Sequence, residues 1–301
     1  MKKQITKAVI PAAGLGTRLL PATIAQPKEM LIIVDKPVIQ YVVEEAVAAG
    51  IKDILIVTGR NKRAVEDHFD PSYELEDTLQ KKGKLEELKS LEKISKLANI
   101  HFIRQKKQLG LADAIYQGKY FVGGEPFAVL LGDTIISSNK EKPCLADMLD
   151  IFCETGKSVV AAEYVKRKKD VERYGIIDYD KKVLMLKNGI NYHAIRGLVE
   201  KPSEGKAPSR LAIASRYIFT PDIFGLIEKT KPGKNNEIQI TDSMQLLLQQ
   251  DSMMAYQIDG RRYDIGDRID YIKTTIDFAL KNEETRSEIY KHILSFCKTN
   301  D

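Results

Sequence analysis

The sequence predicts an α/β fold built on a doubly wound sheet, because strand-like and helix-like segments alternate through its first half. The strand-like segments are short, continuous apolar runs, which are typical of parallel strands buried on both faces. Between the first two runs, residues 38–49 have helical spacing and end at Gly50, and glycine is frequent just beyond a helix. The four strand-like runs are Lys7–Ala12, Ile54–Thr58, Ile100–Ile103 and Phe127–Leu131.

This alternation favours a Rossmann-like, doubly wound mixed sheet with right-handed crossovers. A second helical segment, residues 111–121, separates the last two runs. In such sheets ligands bind beyond the carboxyl ends of the strands. The loops that follow the strands are therefore the expected functional segments.

The rest of the chain predicts additions to this sheet and no second domain. Residues 71–98 are charged and amphipathic, with an apolar residue at every third position from Leu85 to Leu97, and we expect a helical insertion at the edge of the domain. Strand signals recur near 158–164, 174–178, 197–200 and 213–219, and residues 267–301 are expected to be helical. No linker rich in Ser, Gly or Pro interrupts the chain, so residues 1–301 are predicted to form a single domain.

Composition and charge exclude several classes of protein. Of the 301 residues 43% are hydrophobic and 30% charged, which is typical of soluble globular proteins. No apolar run approaches the roughly 20 residues of a membrane helix, and the N-terminus lacks a secretory signal, so we expect a cytoplasmic protein without membrane contact. Three cysteines without a CxxC pair and four scattered histidines indicate neither disulfides nor zinc. The net charge of +5 fits anionic ligands, but no basic stripe indicates nucleic acid.

The most informative segment is the loop of residues 12–19, directly after the first strand. Gly14 and Gly16 allow backbone N–H groups to surround a phosphate, and Arg18 adds a cationic fork. Leu19 stands where a dinucleotide fingerprint has Gly or Ala, and the Walker pattern is absent. The loop is therefore suited to phosphate but belongs to neither of these two common classes.

The residues that follow carry a resemblance to a known family. Gly14, Gly16, Thr17 and Arg18, then Pro21 and Thr23, and then the run Pro27-Lys28-Glu29-Met30-Leu31 resemble the signature of the sugar-nucleotide pyrophosphorylases. That resemblance implies condensation of a nucleoside triphosphate with a sugar 1-phosphate and release of pyrophosphate.

Further motifs resemble one branch of that family, the bacterial-type UTP–glucose-1-phosphate uridylyltransferases. They continue in the same order along nearly the whole chain, through 34–46, 69–76, 104–115, 131–133, 174–177, 199–202, 217–221, 237–242 and 263–267. The sequence departs from the branch at Ile24, Gln26, Ile32, Thr134 and Ser215. The resemblance implies UTP and glucose 1-phosphate as substrates, with UDP-glucose and pyrophosphate as products.

The expected catalytic residues are cations for two phosphates and a carboxylate for Mg²⁺. By the resemblance, Arg18 and Lys28 contact the triphosphate and Lys201 neutralises the sugar phosphate. Asp133 follows a buried apolar run, where a carboxylate is unfavourable unless it binds a cation, so we expect it to hold Mg²⁺. The resemblance adds Asp264 as a second metal ligand.

The remaining expected contacts divide between nucleotide and sugar. The nucleotide residues are Ala12, Ala13, Gly14, Gly16, Glu29, Gln105 and Gly110, with Glu29 and Gln105 selecting the base. The sugar residues are Gly175, Glu200 and Lys201.

Two alternatives to this activity stay open from the sequence. One is a thymidylyl- or cytidylyltransferase acting on a related sugar 1-phosphate. The other is a catalytically silent nucleotide-binding paralogue. The resemblance, together with the amphipathic C-terminal helices, also implies a homodimer or homotetramer.

Overall fold

The computed structural model describes residues 4–233 and 236–299. The strands are β1 Lys7–Pro11, β2 Ile32–Ile33, β3 Lys36–Pro37, β4 Asp53–Thr58, β5 Asn99–Arg104, β6 Phe127–Leu130, β7 Thr134–Ser138, β8 Val159–Tyr164, β9 Gly175–Tyr179, β10 Leu184–Met185, β11 Asn191–Glu200, β12 Leu211–Phe219, β13 Met254–Gln257 and β14 Gly260–Asp264.

The helices alternate with the strands in the first half and end the chain in a pair. They are α1 Val38–Ala48, α2 Arg63–Phe69, α3 Tyr73–Lys81, α4 Leu85–Ser95, α5 Leu111–Tyr116, α6 Lys119–Val122, α7 Cys144–Thr155, α8 Asp222–Lys229, α9 Ile240–Leu248, α10 Arg268–Lys281 and α11 Glu283–Thr299. Across the described ranges, no helix is long and apolar enough to cross a membrane.

One large mixed sheet forms the centre of the fold, in the order β10-β11-β13-β8-β12-β6-β1-β4-β5, with β9 pairing β11 and β12. Strands β6, β1, β4 and β5 are parallel, whereas β12 runs antiparallel to β6. The predicted α/β class with a doubly wound mixed sheet is confirmed. The carboxyl ends of the four parallel strands meet at one edge, where the loops after β1, β4, β5 and β6 come together.

The core lies on both faces of this sheet, because successive side chains of a strand point to opposite sides. In β1, Ala8 and Ile10 join the apolar cluster that contains α1 and α7, and Val9 joins the cluster that contains α5, α8 and α9. All three side chains are fully buried. The continuous apolar run therefore reflects burial on two sides, as the sequence predicted.

Three local predictions need correction. Strand β5 is the edge of the sheet and is half-exposed, so its apolar run does not reflect burial on both faces. The helix predicted over 111–121 is divided into α5 and α6 near Gly118, where a Cβ would lie 2.7 Å from Val9. The insertion is helical as expected, with two helices that turn at Gly83, where φ is +69°, but its apolar helix face does not extend to Leu97, because α4 ends at Ser95.

Candidate active site

The predicted phosphate loop leaves β1 at the carboxyl edge of the sheet. The backbone N–H of Ala12 donates to the carbonyl of Val57 at 2.9 Å, which fixes the start of the loop against β4. Gly16 has a φ of +70°, a left-handed conformation that glycine adopts without a steric penalty. The hydroxyl of Thr23 donates to the carbonyl of Gly16 at 2.8 Å and closes the loop.

Lys28 and Asp133 form an ion pair beneath this loop. Lys28 begins a short 3₁₀ turn, Lys28–Met30, and its ammonium donates to Oδ2 of Asp133, which follows β6. A Cβ at Gly14 would lie 3.3 Å from Nζ of Lys28, so the loop backbone covers the lysine closely. Burial would raise the pKa of Asp133, but the charge and hydrogen bond of Lys28 and the charge of Arg18 hold it below its ordinary value. Asp133 is therefore ionised at neutral pH.

Asp264 is brought beside Asp133 by the pairing of two strands. In the β7–β14 ladder Asp264 lies opposite Thr134, and the N–H of Ile265 donates to the carbonyl of Asp133 at 3.1 Å. Burial and the negative charge of Asp133 raise the pKa of Asp264, although Arg18 opposes this shift. Two partly buried carboxylates whose charges repel each other therefore lie near each other.

This pair fits a divalent cation with a preference for oxygen. Within residues 4–233 and 236–299, no group of three or more His, Cys, Asp or Glu side chains is arranged to hold a metal. Mg²⁺ is usually bound through one or two carboxylates, with substrate phosphates and water completing the shell. The arrangement of Asp133 and Asp264 is consistent with that mode.

Arg18 stands next to the carboxylate pair. Its guanidinium packs on Gly266, where a Cβ would lie 2.9 Å from Nη2, and the N–H of Gly266 donates to Oδ1 of Asp264 at 3.0 Å. Four of the predicted residues, Arg18, Lys28, Asp133 and Asp264, therefore form one cluster at the loop.

Glu29 lies beside this cluster and has a partner that the sequence did not predict. Its carboxylate accepts from Nζ of Lys62 at 2.6 Å, and the two side chains are 1% and 6% exposed. Burial raises the pKa of Glu29, and the charges of Lys28 and Lys62 partly offset the effect. Glu29 was expected to select the base, but one of its carboxylate oxygens already accepts a hydrogen bond from the buried Lys62.

Gln105 and Gly110 are brought together after β5. The amide nitrogen of Gln105 donates to Asp113 at 2.6 Å and to the carbonyl of Gly110 at 3.3 Å, so the orientation of the side-chain amide is fixed. Gly110 has a φ of +110°, and a Cβ there would lie 2.7 Å from the carbonyl oxygen of Ile238. Glycine is required here by the close approach of the segment around Ile238.

The predicted sugar residues form a second group on β9 and β11. Gly175 lies opposite Glu200 in this ladder, and the hydroxyl of Thr241 donates to Oε2 of Glu200 at 2.6 Å. A Cβ at Gly175 would lie 3.0 Å from the Thr241 hydroxyl and 3.2 Å from the Glu200 carboxylate. Nζ of Lys201 lies 3.2 Å from the other oxygen of Glu200.

Arg262 connects the two groups. It lies on β14, two residues before Asp264, and its side chain pairs with Glu163 at 3.2 Å and stacks 3.9 Å above the ring of Tyr174. The carbonyl of Tyr174 accepts from the backbone N–H of Lys201 at 3.1 Å. In the described part of the chain, no hydrogen bond or ion pair joins Glu200 or Lys201 directly to Asp133 or Asp264.

Sequence reasoning missed Lys62, Thr241 and Arg262. Lys62 lies in the loop after β4, and the rule about strand ends could have identified it. Thr241 lies within the motif of residues 237–242, but the motif alone does not indicate its hydrogen bond to Glu200. No local pattern singled out Arg262, because its partners are distant in sequence.

Two departures from the family pattern, Thr134 and Ser215, lie next to residues that contact the segment around Asp133. The hydroxyl of Thr134 lies 3.3 Å from Oδ1 of Asp133. Ser215 has a φ of +61°, a left-handed conformation that glycine adopts more easily than serine. Its neighbour Arg216 is fully buried, pairs with Glu45 and donates to the carbonyl of Thr134 at 2.8 Å, so it fixes the start of β7.

Comparison with known proteins gives a consistent result. A family model described as nucleotidyl transferase matches residues 7–280. A UTP–glucose-1-phosphate uridylyltransferase of Staphylococcus epidermidis is 50% identical over 287 residues, which cover 95% of this chain and 96% of that protein.

Solved structures give the same picture. A UDP-glucose pyrophosphorylase complexed with UDP-glucose is 44% identical, with a TM-score of 0.82, over 92% of this chain and 100% of the other. A UTP-bound UGPase from Acinetobacter baumannii is 36% identical, with a TM-score of 0.87, over 96% of this chain and 99% of the other.

Proposed function

Because this chain belongs to the nucleotidyl transferase family, we propose that it condenses UTP with α-D-glucose 1-phosphate to give UDP-glucose and pyrophosphate. The observation that carries this proposal is the partly buried cluster of Lys28, Asp133 and Asp264 next to a phosphate-type loop. The similarity to uridylyltransferases along almost the whole chain supports the choice of nucleotide and sugar.

In the proposed reaction an oxygen of the sugar phosphate attacks the α-phosphorus of UTP. The bond from that phosphorus to the bridging oxygen breaks, and pyrophosphate leaves with the electron pair. Such chemistry depends on alignment and on neutralising the growing charge. Arg18 and Lys28 supply cations at the triphosphate, and the backbone of Gly14 and Gly16 lies against it.

Nucleotidyltransferases of this family generally use a divalent metal ion, and we assign Mg²⁺ to Asp133 and Asp264. When bound, Mg²⁺ would neutralise charge on the α-phosphate and on the leaving pyrophosphate. Asp133 and Asp264 would hold this ion, whose charge would offset the repulsion between them. Lys28, which pairs with Asp133 in the structure, is close enough to this position to serve the triphosphate.

The uracil base is assigned to the space between the loop and the segment after β5. We assign Ala12 and Ala13 to one side of the base and Gly110 to the other. Nε2 of Gln105 is already bonded to Asp113, which leaves Oε1 to accept from the uracil N–H. Glu29 is buried and paired with Lys62, so we assign it an indirect contribution to base selection.

The sugar phosphate is assigned to Gly175, Glu200 and Lys201. Glu200 accepts hydrogen bonds from sugar hydroxyls, and Thr241 holds its carboxylate in place. Lys201 faces the phosphate as a compact charge. The absence of a side chain at Gly175 keeps the space in front of Glu200 open.

Product formation with four nucleotides tests this proposal. Purified protein with Mg²⁺ and glucose 1-phosphate should release pyrophosphate faster with UTP than with dTTP, CTP or ATP. Equal or faster turnover with dTTP would assign the protein to the thymidylyltransferases. Absence of product with all four nucleotides and several sugar 1-phosphates, despite UTP binding, would favour a silent paralogue.

The remaining proposals concern the state of the protein in the cell. We propose a single-domain cytoplasmic enzyme that forms a homodimer or homotetramer. Helix α10 exposes Ile269, Ile272 and Ile276, which are 57%, 49% and 40% exposed, and α11 exposes Tyr290 and Phe296. Exposed apolar side chains at the helical spacing of the three isoleucines lie on one face of α10, and such a face often marks an interface. Light scattering that shows only a 34 kDa species at working concentration would contradict the assembly.

A further inference from the structure

A basic cleft lies next to the proposed uracil position, and the proposed reaction does not use it. It has a volume of about 450 Å³, which is within the range of small-molecule sites. The residues that line it are Arg60, Asn61, Lys62, Arg63, Glu66 and Arg104.

The cleft has an excess of positive charge. The side chains of Arg60, Arg63 and Arg104 form no hydrogen bond or ion pair with any residue in the ranges 4–233 and 236–299. Lys62 is neutralised by Glu29, and Glu66 accepts only from the hydroxyl of Thr58, at 3.3 Å. Three guanidinium groups therefore face one carboxylate, and their mutual repulsion is relieved only by solvent or by a bound anion.

Two of these arginines, Arg60 and Arg104, are brought together by the pairing of strands β4 and β5. Strands β4 and β5 are parallel neighbours in which Thr58 lies opposite Arg104, and Arg60 follows Thr58 by two residues. Both guanidinium groups thus stand at the carboxyl edge of the sheet, where α/β proteins bind their ligands. The buried Lys62–Glu29 pair provides a rigid base beneath them.

The same two arginines also line the space against the nucleotide loop. Arg60 and Arg104 border an adjoining cavity of about 480 Å³, together with Leu15, Gln105, Lys106 and Gln108. An anion held by Arg60 and Arg104 would therefore lie beside the side chain that we assign to uracil. In this respect the inference rests on the proposed function.

We propose that this cleft binds a small phosphate-bearing anion, a phosphate monoester or a diphosphate, at a site separate from the triphosphate position. Guanidinium groups bind phosphate through paired N–H donors, and three unpaired ones match one or two phosphate groups. Arg18 and Lys28 belong to a different cluster, on Asp133 and Asp264, so both anions are accommodated together.

Calorimetric titration with pyrophosphate tests the site. The titration uses Lys201→Ala protein saturated with UTP in EDTA, so that the triphosphate position is filled, the sugar-phosphate lysine is absent and no reaction occurs. We expect one pyrophosphate per chain. Adding Arg60→Ser and Arg104→Ser to the same protein should weaken this binding at least tenfold, with an unchanged melting temperature.

A matched control removes the same charge elsewhere. Arg167→Ser with Arg196→Ser deletes two exposed arginines that pair with Asp170 and Asp180, and should leave the pyrophosphate affinity within twofold. The proposal is overturned if UTP-saturated protein binds no pyrophosphate, or if both double variants weaken it equally. UDP-glucose synthesis by the unmodified protein is measured separately, so failure of the proposed function would be seen in that assay and not in the loss of arginine-dependent binding.

Discussion

The two lysines that we assign to the two substrates have different surroundings. Lys28 is 15% exposed and is paired with Asp133, under the backbone of Gly14. Lys201 is 40% exposed and its nearest anion, Glu200, lies 3.2 Å away. The two carboxylates are equally shielded, at 18% and 19% exposed, so the difference lies in the lysines: Lys28 is largely shielded from water, whereas Lys201 is open to it. Arg18, the other cation of the nucleotide half, is exposed.

This difference indicates how the two halves contribute to the reaction. Buried charges act strongly because water does not screen them, and they need little reorganisation during the reaction. An exposed lysine mainly attracts and orients its phosphate. We therefore expect losses in the nucleotide half to reduce turnover and losses in the sugar half to reduce the apparent affinity for glucose 1-phosphate.

The largest effect is expected from Asp133→Asn. This change keeps the shape of the side chain but removes the charge that pairs with Lys28 and is assigned to Mg²⁺. Loss of one such electrostatic element lowers turnover by about 100-fold or more. Asp150→Asn, on α7 and bonded to Asn188, is the matched control and should retain normal turnover. A folded Asp133→Asn protein with near-normal activity would show that Asp133 is only structural.

A smaller effect, confined to the sugar half, is expected from Thr241→Val. Valine has nearly the same shape but cannot donate to Glu200, and a hydrogen bond to a charged group contributes about 1.5–3 kcal/mol. The KM for glucose 1-phosphate should rise roughly tenfold or more, while the KM for UTP changes little. Thr241→Ser keeps the hydroxyl and should restore most of the affinity. A parallel rise in both KM values would indicate a general structural role.

The smallest effect concerns stability without metal. Burial and the charge of Asp133 raise the pKa of Asp264 in the folded protein above its ordinary value of 3.8. Protonated Asp264 therefore contributes fully to the free energy of unfolding below pH 3.8, and this contribution is lost as the pH rises through the raised pKa. Asp264→Asn cannot lose a proton. In EDTA its melting temperature should therefore exceed that of the unmodified protein at pH 7, and the difference should disappear near pH 3.

Magnesium provides the complementary measurement on the same two proteins. If Asp133 and Asp264 both hold Mg²⁺, the ion should raise the melting temperature of the unmodified protein at pH 7 more than that of Asp264→Asn. Equal stabilisation of both proteins would place the metal away from Asp264.

Much of the nucleotide half could be predicted from the sequence. In the nucleotide half, the apolar runs and the glycines after β1 identify the sheet edge and the loop, because burial on two faces and a left-handed turn leave clear local patterns. Arg18, Lys28, Asp133 and Asp264 are recognisable from the family motifs, and the structure places them together.

What the sequence could not give are contacts between segments distant along the chain. Lys62 reaches Glu29 across 33 residues, and Arg262 reaches Glu163 across 99, so no local spacing indicates either pair. The edge position of β5 was missed for the same reason, because an apolar run does not reveal how many neighbours a strand has. Both ion pairs and the edge position of β5 depend on the order of the strands in the sheet, which a local pattern does not show.

The assignment of one lysine to each substrate is tested most directly by titrating UTP in the absence of sugar phosphate. Lys28→Ala should weaken UTP binding and lower turnover, with about 2–5 kcal/mol of transition-state stabilisation lost, as expected for a buried, charge-paired lysine. Lys201→Ala should bind UTP normally and lose mainly affinity for glucose 1-phosphate. If Lys201→Ala abolishes UTP binding while Lys28→Ala retains it, the assignment of the two halves is wrong.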